Sequence, residues 1–173
     1  MSSSDTPRRN SSGAFAALIF AVVSVLIFVG FCVWYWFQAP DTVASHINAE
    51  GQADDWSSKG SMLAILVPLG VGIPLLFSIR WIWEKLPTGL INIPQKEYWL
   101  EQGERAYLFD CLMEFMRIVG GLVALLFTAE LRDVMHGTTE SMQGWWTFAP
   151  TVVFLVATGL ALWLLMHRLR PTR

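Results

Sequence analysis

Apolar positions along the chain gather into four long blocks, about Ala14 to Phe37, Ser61 to Trp83, Leu112 to Ala129 and Trp146 to Met166, separated by polar stretches. Within each block the apolar residues run on rather than recurring at a helix or strand period, the pattern of segments that meet lipid on all sides. Crossing a hydrocarbon core takes about 20 helical residues at ~1.5 Å rise each, and every block is long enough. Uninterrupted runs do not fit the alternation of barrel strands, so the spanning elements are helices. The pattern predicts an all-α integral membrane protein with four transmembrane helices, at 14–38, 61–83, 106–130 and 146–167. Loops at 39–60, 84–105 and 131–145 connect them, with tails at 1–13 and 168–173.

Lysine and arginine set the expected orientation. Arg8, Arg9, Arg80, Lys85, Lys96, Arg105, Arg168, Arg170 and Arg173 fall on one side, and Lys59 and Arg132 on the other. Under the positive-inside rule both termini are cytoplasmic and the loop 39–60 is extracytoplasmic. Aromatic residues fit the same frame: Trp34, Tyr35, Trp36, Trp145 and Trp146 for the outer interface, Trp81, Trp83, Tyr98, Trp99 and Trp163 for the inner one. The first block is read as a retained helix, because its run exceeds a signal-peptide core of ~7–15 residues and Phe37-Gln38-Ala39 is a poor cleavage site. The stretch "MSSSDTPRRNSSG" has the composition of a disordered tail. Composition agrees: 54% of the 173 residues are hydrophobic and 15% charged, too little charge to cover a soluble domain of this size. A net charge of −2 excludes no function class, since the charges are segregated by side, and no basic footprint for nucleic acid is present.

Chemistry inside the spans is sparse. Pro68 and Pro74 deprive the carbonyls of Ala64 and Gly70 of their helical partners, which predicts a kink near mid-membrane. Freed carbonyls can coordinate ions in transporters, but no second broken helix is present, and packing of a neighbour into the notch is the preferred reading. In the third helix Asp110, Glu114 and Arg117 lie near the inner edge, and Glu114 and Arg117, three residues apart, are expected to pair on one face. Ionisable groups in a span suggest a proton or ligand relay. An interfacial pair with a snorkelling arginine is the structural alternative and is preferred. Glu130, Arg132, Asp133 and His136 read as a solvated outer loop. Cys32 and Cys111 sit at opposite membrane depths, too far apart for the ~4.4–6.8 Å Cα separation of a disulfide, and read as packing residues.

The two polar loops are more specified than connectors require. In "APDTVASHINAEGQADDWSSKG", Pro40 fixes the exit from the membrane, "TVASHIN" reads as extended, and Glu50-Gly51 as a turn. Ser57 or Ser58 is placed to cap the second helix. His46 with Glu50, Asp54 and Asp55 offers nitrogen and oxygen donors for zinc, but one histidine with flexible carboxylates is a weak set, so no metal is expected and His46 is read as a hydrogen-bonding fixture. In "KLPTGLINIPQKEYWLEQGER", Pro94 is placed to open a short helix, with Tyr98 and Trp99 at the interface and Lys96 and Arg105 toward headgroups.

Together these loops resemble a bacterial membrane family, domain of unknown function 1648, found at the amino-terminal part of SdpI-type immunity and sensor proteins. The resemblance rests on Pro40, Val43, His46, Gly51, Asp54, Trp56, Ser58 and Lys59 in the outer loop. In the inner loop it rests on Asn92, Pro94, Glu97, Tyr98 and Trp99, so that it covers about Phe31 to Arg105. It implies a multi-helix fold in the bacterial cytoplasmic membrane. SdpI-type proteins are longer, protect the producing cell from a secreted toxin and signal its presence by sequestering a repressor; their second domain is not recognised here after the family region.

No nucleophile with an oxyanion site is identifiable, so no enzymatic activity and no cofactor are expected. The first functional expectation is recognition of an extracytoplasmic peptide or envelope signal by the outer loop, coupled to a cytosolic partner by the inner one. The alternative is an accessory or assembly subunit, packing on another membrane protein or a second copy through Gly70, Gly72, Gly120 and Gly121. A small transporter using Pro68, Pro74, Glu114 and Arg117 is the third, disfavoured because no inverted repeat is visible.

Overall fold

A computed structural model describes residues 11–48, 52–139 and 148–171. In chain order the elements are α1 (Ser11–Gln38), β1 (Thr42–Ile47), β2 (Ala53–Ser58), α2 (Lys59–Val67), a π-helical turn (Pro68–Gly72), α3 (Ile73–Ser78) and α4 (Arg80–Lys85). A 3₁₀ turn (Thr88–Leu90), α5 (Lys96–Glu101), α6 (Arg105–Thr139) and α7 (Ala149–Arg168) follow. Four helical stretches are long and apolar enough to cross a membrane: Ser12–Gln38, Lys59–Ser78, Arg105–Thr138 and Ala149–Arg168.

The central member is α6. Its 35 residues would extend about 50 Å at the α-helical rise, and α1, α3 and α7 all pack on it. It runs parallel to α1, since Arg117 meets Ala14 and Gly121 lies against Phe20 and Ala21. It runs antiparallel to α3 and α7, since Gly120 lies against Pro74 and Glu114 pairs with Arg168. Two buried clusters form at its ends. The one at the hairpin end, called outer after the orientation expected from the sequence, joins Phe28, Tyr35 and Val43 to Ala124 and Leu131; the one at the α5 end, called inner, joins Trp99 and Phe109 to Leu165 and Leu169. Cys32 belongs to the outer cluster and Cys111 to the inner, and both are free thiols.

Several sequence expectations change. The chain is not purely helical, because the first polar loop folds as a β-hairpin, β1 antiparallel to β2. The second span ends at Ser78 rather than Trp83: Ile79 is extended (φ −85°, ψ 91°), and α4 restarts beyond it. The break lets Trp83 donate to the Leu76 carbonyl (3.0 Å) and turns Arg80 toward α6. The third helix continues past residue 130 to Thr139, so Arg132, Asp133 and His136 are helical rather than loop residues, with Leu131 fully buried among them.

The proline kink takes the form of the π-turn Pro68–Gly72, and Phe28 from α1 fills its notch: a Cβ on Gly70 would overlap the Phe28 ring. Gly120 approaches the backbone of Pro74 (3.0 Å from an added Cβ to Cα), and Gly121 receives the ring of Phe20 (2.5 Å). Three of the four glycines expected to face another protein are therefore used inside this chain, where small residues let helices approach closely. Gly72 alone of the four faces open space. Gly70→Ala should lower stability by about 1–3 kcal/mol, because Phe28 is fully buried and its ring has nowhere to turn. Gly72→Ala, in the same turn, should not. Thermal unfolding in mild detergent checks this, and equal effects of the two changes would contradict the packing.

Candidate functional site

The outer hairpin is closed at both ends by its own backbone. Asn48 N–H donates to Gln52 O (2.9 Å) and Lys59 N–H to Asp41 O (3.0 Å). The pairing passes from Ala44↔Trp56 to His46↔Asp55 and then to Ile47↔Ala53, so Ser45 and Asp54 are each one residue in excess on their strand. Two bulges on opposite strands compensate in register while re-aiming the side chains between them. They bring His46 Nδ1 to 2.5 Å from Asp54 Oδ1 on the exposed face. That hydrogen bond, the charge of Asp54 and, more weakly, that of Asp55 raise the His46 pKa above its ordinary value, against a smaller desolvation effect. Trp56, two residues along β2 from Asp54, is 49% exposed. Among the described residues no group of three or more histidine, cysteine, aspartate or glutamate side chains is placed to hold a metal. Gly51 and the Glu50-Gly51 turn lie outside the described residues, as do Trp145 and Trp146.

The opposite face of the hairpin is anchored. Val43 is 0% exposed between α1 and α6, and Ala44 N–H donates to Thr138 Oγ1 of α6 (3.0 Å). Lys59 ties the hairpin to the end of α1 through the Ala39 carbonyl (3.3 Å), the Asp41 carboxylate (3.1 Å) and the Trp36 ring (5.4 Å to its centre). Pro40 lies in this junction, two residues before the first residue of β1, and Ser58 caps α2 by accepting from Ser61 N–H (3.0 Å). Of the expected outer aromatics Trp34 and Trp36 are exposed, whereas Tyr35 is a fully buried core residue.

At the other end of α6 the ionisable residues do not pair as expected. Glu114 does not meet Arg117; it pairs with Arg168 at the end of α7. Arg117 donates to the carbonyls of Ala14 in α1 (2.7 Å) and Ser78 at the end of α3 (3.4 Å). Asp110, 1% exposed, pairs with Arg80, whose Nε also donates to Glu84 (2.6 Å). Burial opposes the Arg80 charge, but bonding to Asp110 and Glu84 prevails and its pKa is raised. The i, i+4, i+7 spacing places these three residues on one stripe of α6, and each reaches a different neighbouring element. A buried carboxylate without its cation costs about 3–5 kcal/mol, so these partners hold the inner ends of the helices to α6.

The inner-loop motif is more buried than expected. Pro94 lies in the turn before α5, and Gln95, left-handed at φ 59°, leads into the helix that begins at Lys96. Trp99 is a core residue whose Nε1 donates to Leu169 O (3.0 Å), and Tyr107 O–H donates to Arg168 O (3.2 Å), so both satisfy carbonyls at the end of α7. Tyr98 packs edge-on against Trp99 (5.2 Å). Lys96 donates to the carbonyls of Thr88 and Ile91 (both 3.0 Å), closing the 3₁₀ turn rather than facing headgroups. Asn92 and Glu97 are exposed.

The hairpin is the part of the chain that comparison with known families recognises. Residues 14–72 match the family described as Domain of unknown function (DUF1648). The matched segment takes in α1, both strands, α2 and the π-turn, and stops before the inner loop, so the two-helix unit with its hairpin is the recognised piece. No curated protein and no solved structure matches the chain.

Because the His46 pKa is raised in the fold, the His46–Asp54 pair contributes fully below the ordinary imidazole value of ~6.5 and is lost as pH rises through the raised one. An NMR titration of the His46 ring should give a midpoint above that of an exposed histidine, returning to it in Asp54→Asn. Equal midpoints in the two proteins would contradict the pairing.

Proposed function

We propose that the chain is a multi-pass protein of the bacterial cytoplasmic membrane, both termini inside, whose outer hairpin recognises an extracytoplasmic peptide or envelope signal, in the manner of SdpI-type sensing. What supports this reading is the two-faced hairpin. One face is held against α1 and α6, while its exposed side chains include a histidine–aspartate pair and a half-exposed indole. An aromatic anchor beside a charged hydrogen-bonding pair, on a rigid support, is the composition of a recognition surface.

The outer hairpin and the inner polar contacts are fixed to one helix. A ligand that bears on the hairpin bears on α6, and through Asp110 and Glu114 on the segments that carry Arg80 and Arg168. A packed rigid helix with contacts at both ends is one physical route by which two sites are coupled. The accessory-subunit reading has less to stand on, since Gly70, Gly120 and Gly121 are filled from within. The transporter reading loses its paired Glu114 and Arg117, and Phe28 fills the notch at Gly70.

A deletion strain challenged with secreted antimicrobial peptides should be hypersensitive, and wild type should restore resistance. Trp56→Ala combined with Asp54→Ala, accumulating to the same level in the membrane, should restore at least tenfold less. Full rescue by this variant would remove recognition from the hairpin.

A further inference from the structure

A second polar feature lies at the inner end, on the far side of the molecule from the hairpin. A cleft of about 620 Å³ opens between α4 and the start of α6, lined by Arg80, Trp81, Glu84, Lys85, Arg105 and Ala106. Three cations and one carboxylate border it, and they are not equally committed. Arg80 is neutralised by Asp110 and Glu84. Arg105 donates to a neutral carbonyl, that of Glu84 (3.0 Å), and lies over the Phe109 ring (5.1 Å). Lys85 lies over the Trp81 ring (5.8 Å). Neither of these last contacts offsets a charge, and with Arg80 set between two carboxylates the cleft and its ion pairs keep one net positive charge, carried by Lys85 and Arg105.

Two further features define what would fit. The start of the long helix α6, at Arg105 and Ala106, forms one wall, and the positive end of a helix dipole favours an anion there. The cleft also lies where the apolar stretches Lys59–Ser78 and Arg105–Thr138 meet their polar flanks, the depth of lipid headgroups, with Trp81 67% exposed beside it as interfacial tryptophans are.

We propose that this cleft binds the phosphate of an anionic phospholipid headgroup, held by Lys85, Arg105 and the start of α6, with Trp81 along the upper acyl chain. The extended residue Ile79 is what makes the site: it turns α4 out of the line of α3, and Lys85 of α4 and Arg105 of α6 then line the same cleft. The inference rests on the membrane placement of the helices and not on recognition by the hairpin, so either can fail without the other.

The test is native mass spectrometry of the full chain in a neutral detergent, titrated with phosphatidylglycerol and with phosphatidylcholine of the same acyl chains. Phosphatidylglycerol should bind tighter. Each charge removed near a lipid surface should weaken its binding about fivefold, so Lys85→Gln should lose about fivefold and Lys85→Gln with Arg105→Gln about 25-fold. Arg170→Gln, a cation outside the cleft, should lose nothing. Among the described residues no hydrogen bond of the Lys85 side chain is seen, and an unchanged melting temperature of Lys85→Gln would tie its loss to the cleft. Equal binding of the two lipids, or undiminished phosphatidylglycerol binding by both variants, would overturn the site. Displacement of the lipid by millimolar inorganic phosphate would reassign the cleft to a free anion and overturn the lipid assignment.

Discussion

A carboxylate near the start of a long apolar helix has to find a cation, and much of the inner architecture follows from how Asp110 finds Arg80. A charge taken out of water costs several kcal/mol unless it is paired and hydrogen-bonded. The second helical stretch does not run straight on to Arg80; the chain breaks at Ile79, α4 sets off in a new direction, and Arg80 at its start meets Asp110. The same requirement acts twice more along the stripe. Glu114 draws in Arg168 from the end of α7, and Arg117 gathers carbonyls from α1 and α3. One helix thus gathers the inner ends of the others through ionic and hydrogen-bonding contacts that greasy surfaces alone would leave unspecified.

Farther along α6, shape replaces charge. Gly120 and Gly121 let Pro74, Phe20 and Ala21 come close, and Gly70 in the π-turn receives Phe28. These helices are long and apolar enough to cross a membrane, and among lipid tails close packing of this kind, rather than a hydrophobic drive, carries association. Beyond it α6 projects to Thr139 and supports the hairpin, whose strand β1 is held by Thr138 and by burial of Val43. The outer surface and the inner polar contacts are therefore two ends of one post.

The four spans were legible in the sequence because uninterrupted apolar runs of that length have few alternatives. The extended "TVASHIN", the cap by Ser58 and the kink between Pro68 and Pro74 were legible too, since each rests on local residue chemistry. What was not legible depends on partners far away in the chain. Glu114 and Arg117 sit at a spacing that favours pairing, yet Glu114 takes a partner 54 residues on. The break at Ile79 carries no proline or glycine to announce it. Arg132 and Asp133 read as loop because charge usually ends a span, while burial of Leu131 beside them keeps the helix going. Tyr35 and Trp99 read as interfacial by type, and became core residues because the hairpin and the end of α7 cover them. The spacing of Asp110, Glu114 and Arg117 was the one available sign of the inner polar stripe, and it gave the face without the partners.

The rigid connection between the two ends of α6 can be measured directly. Spin labels at Asp55→Cys in β2 and Glu101→Cys in α5 are both exposed, whereas the native Cys32 and Cys111 are buried. A hairpin and an inner loop fixed to the same helix predict a single, narrow distance distribution by pulsed dipolar spectroscopy in lipid nanodiscs. A broad or multi-peaked distribution would mean that the hairpin moves independently of α6, and would contradict the rigid attachment of both ends to one helix.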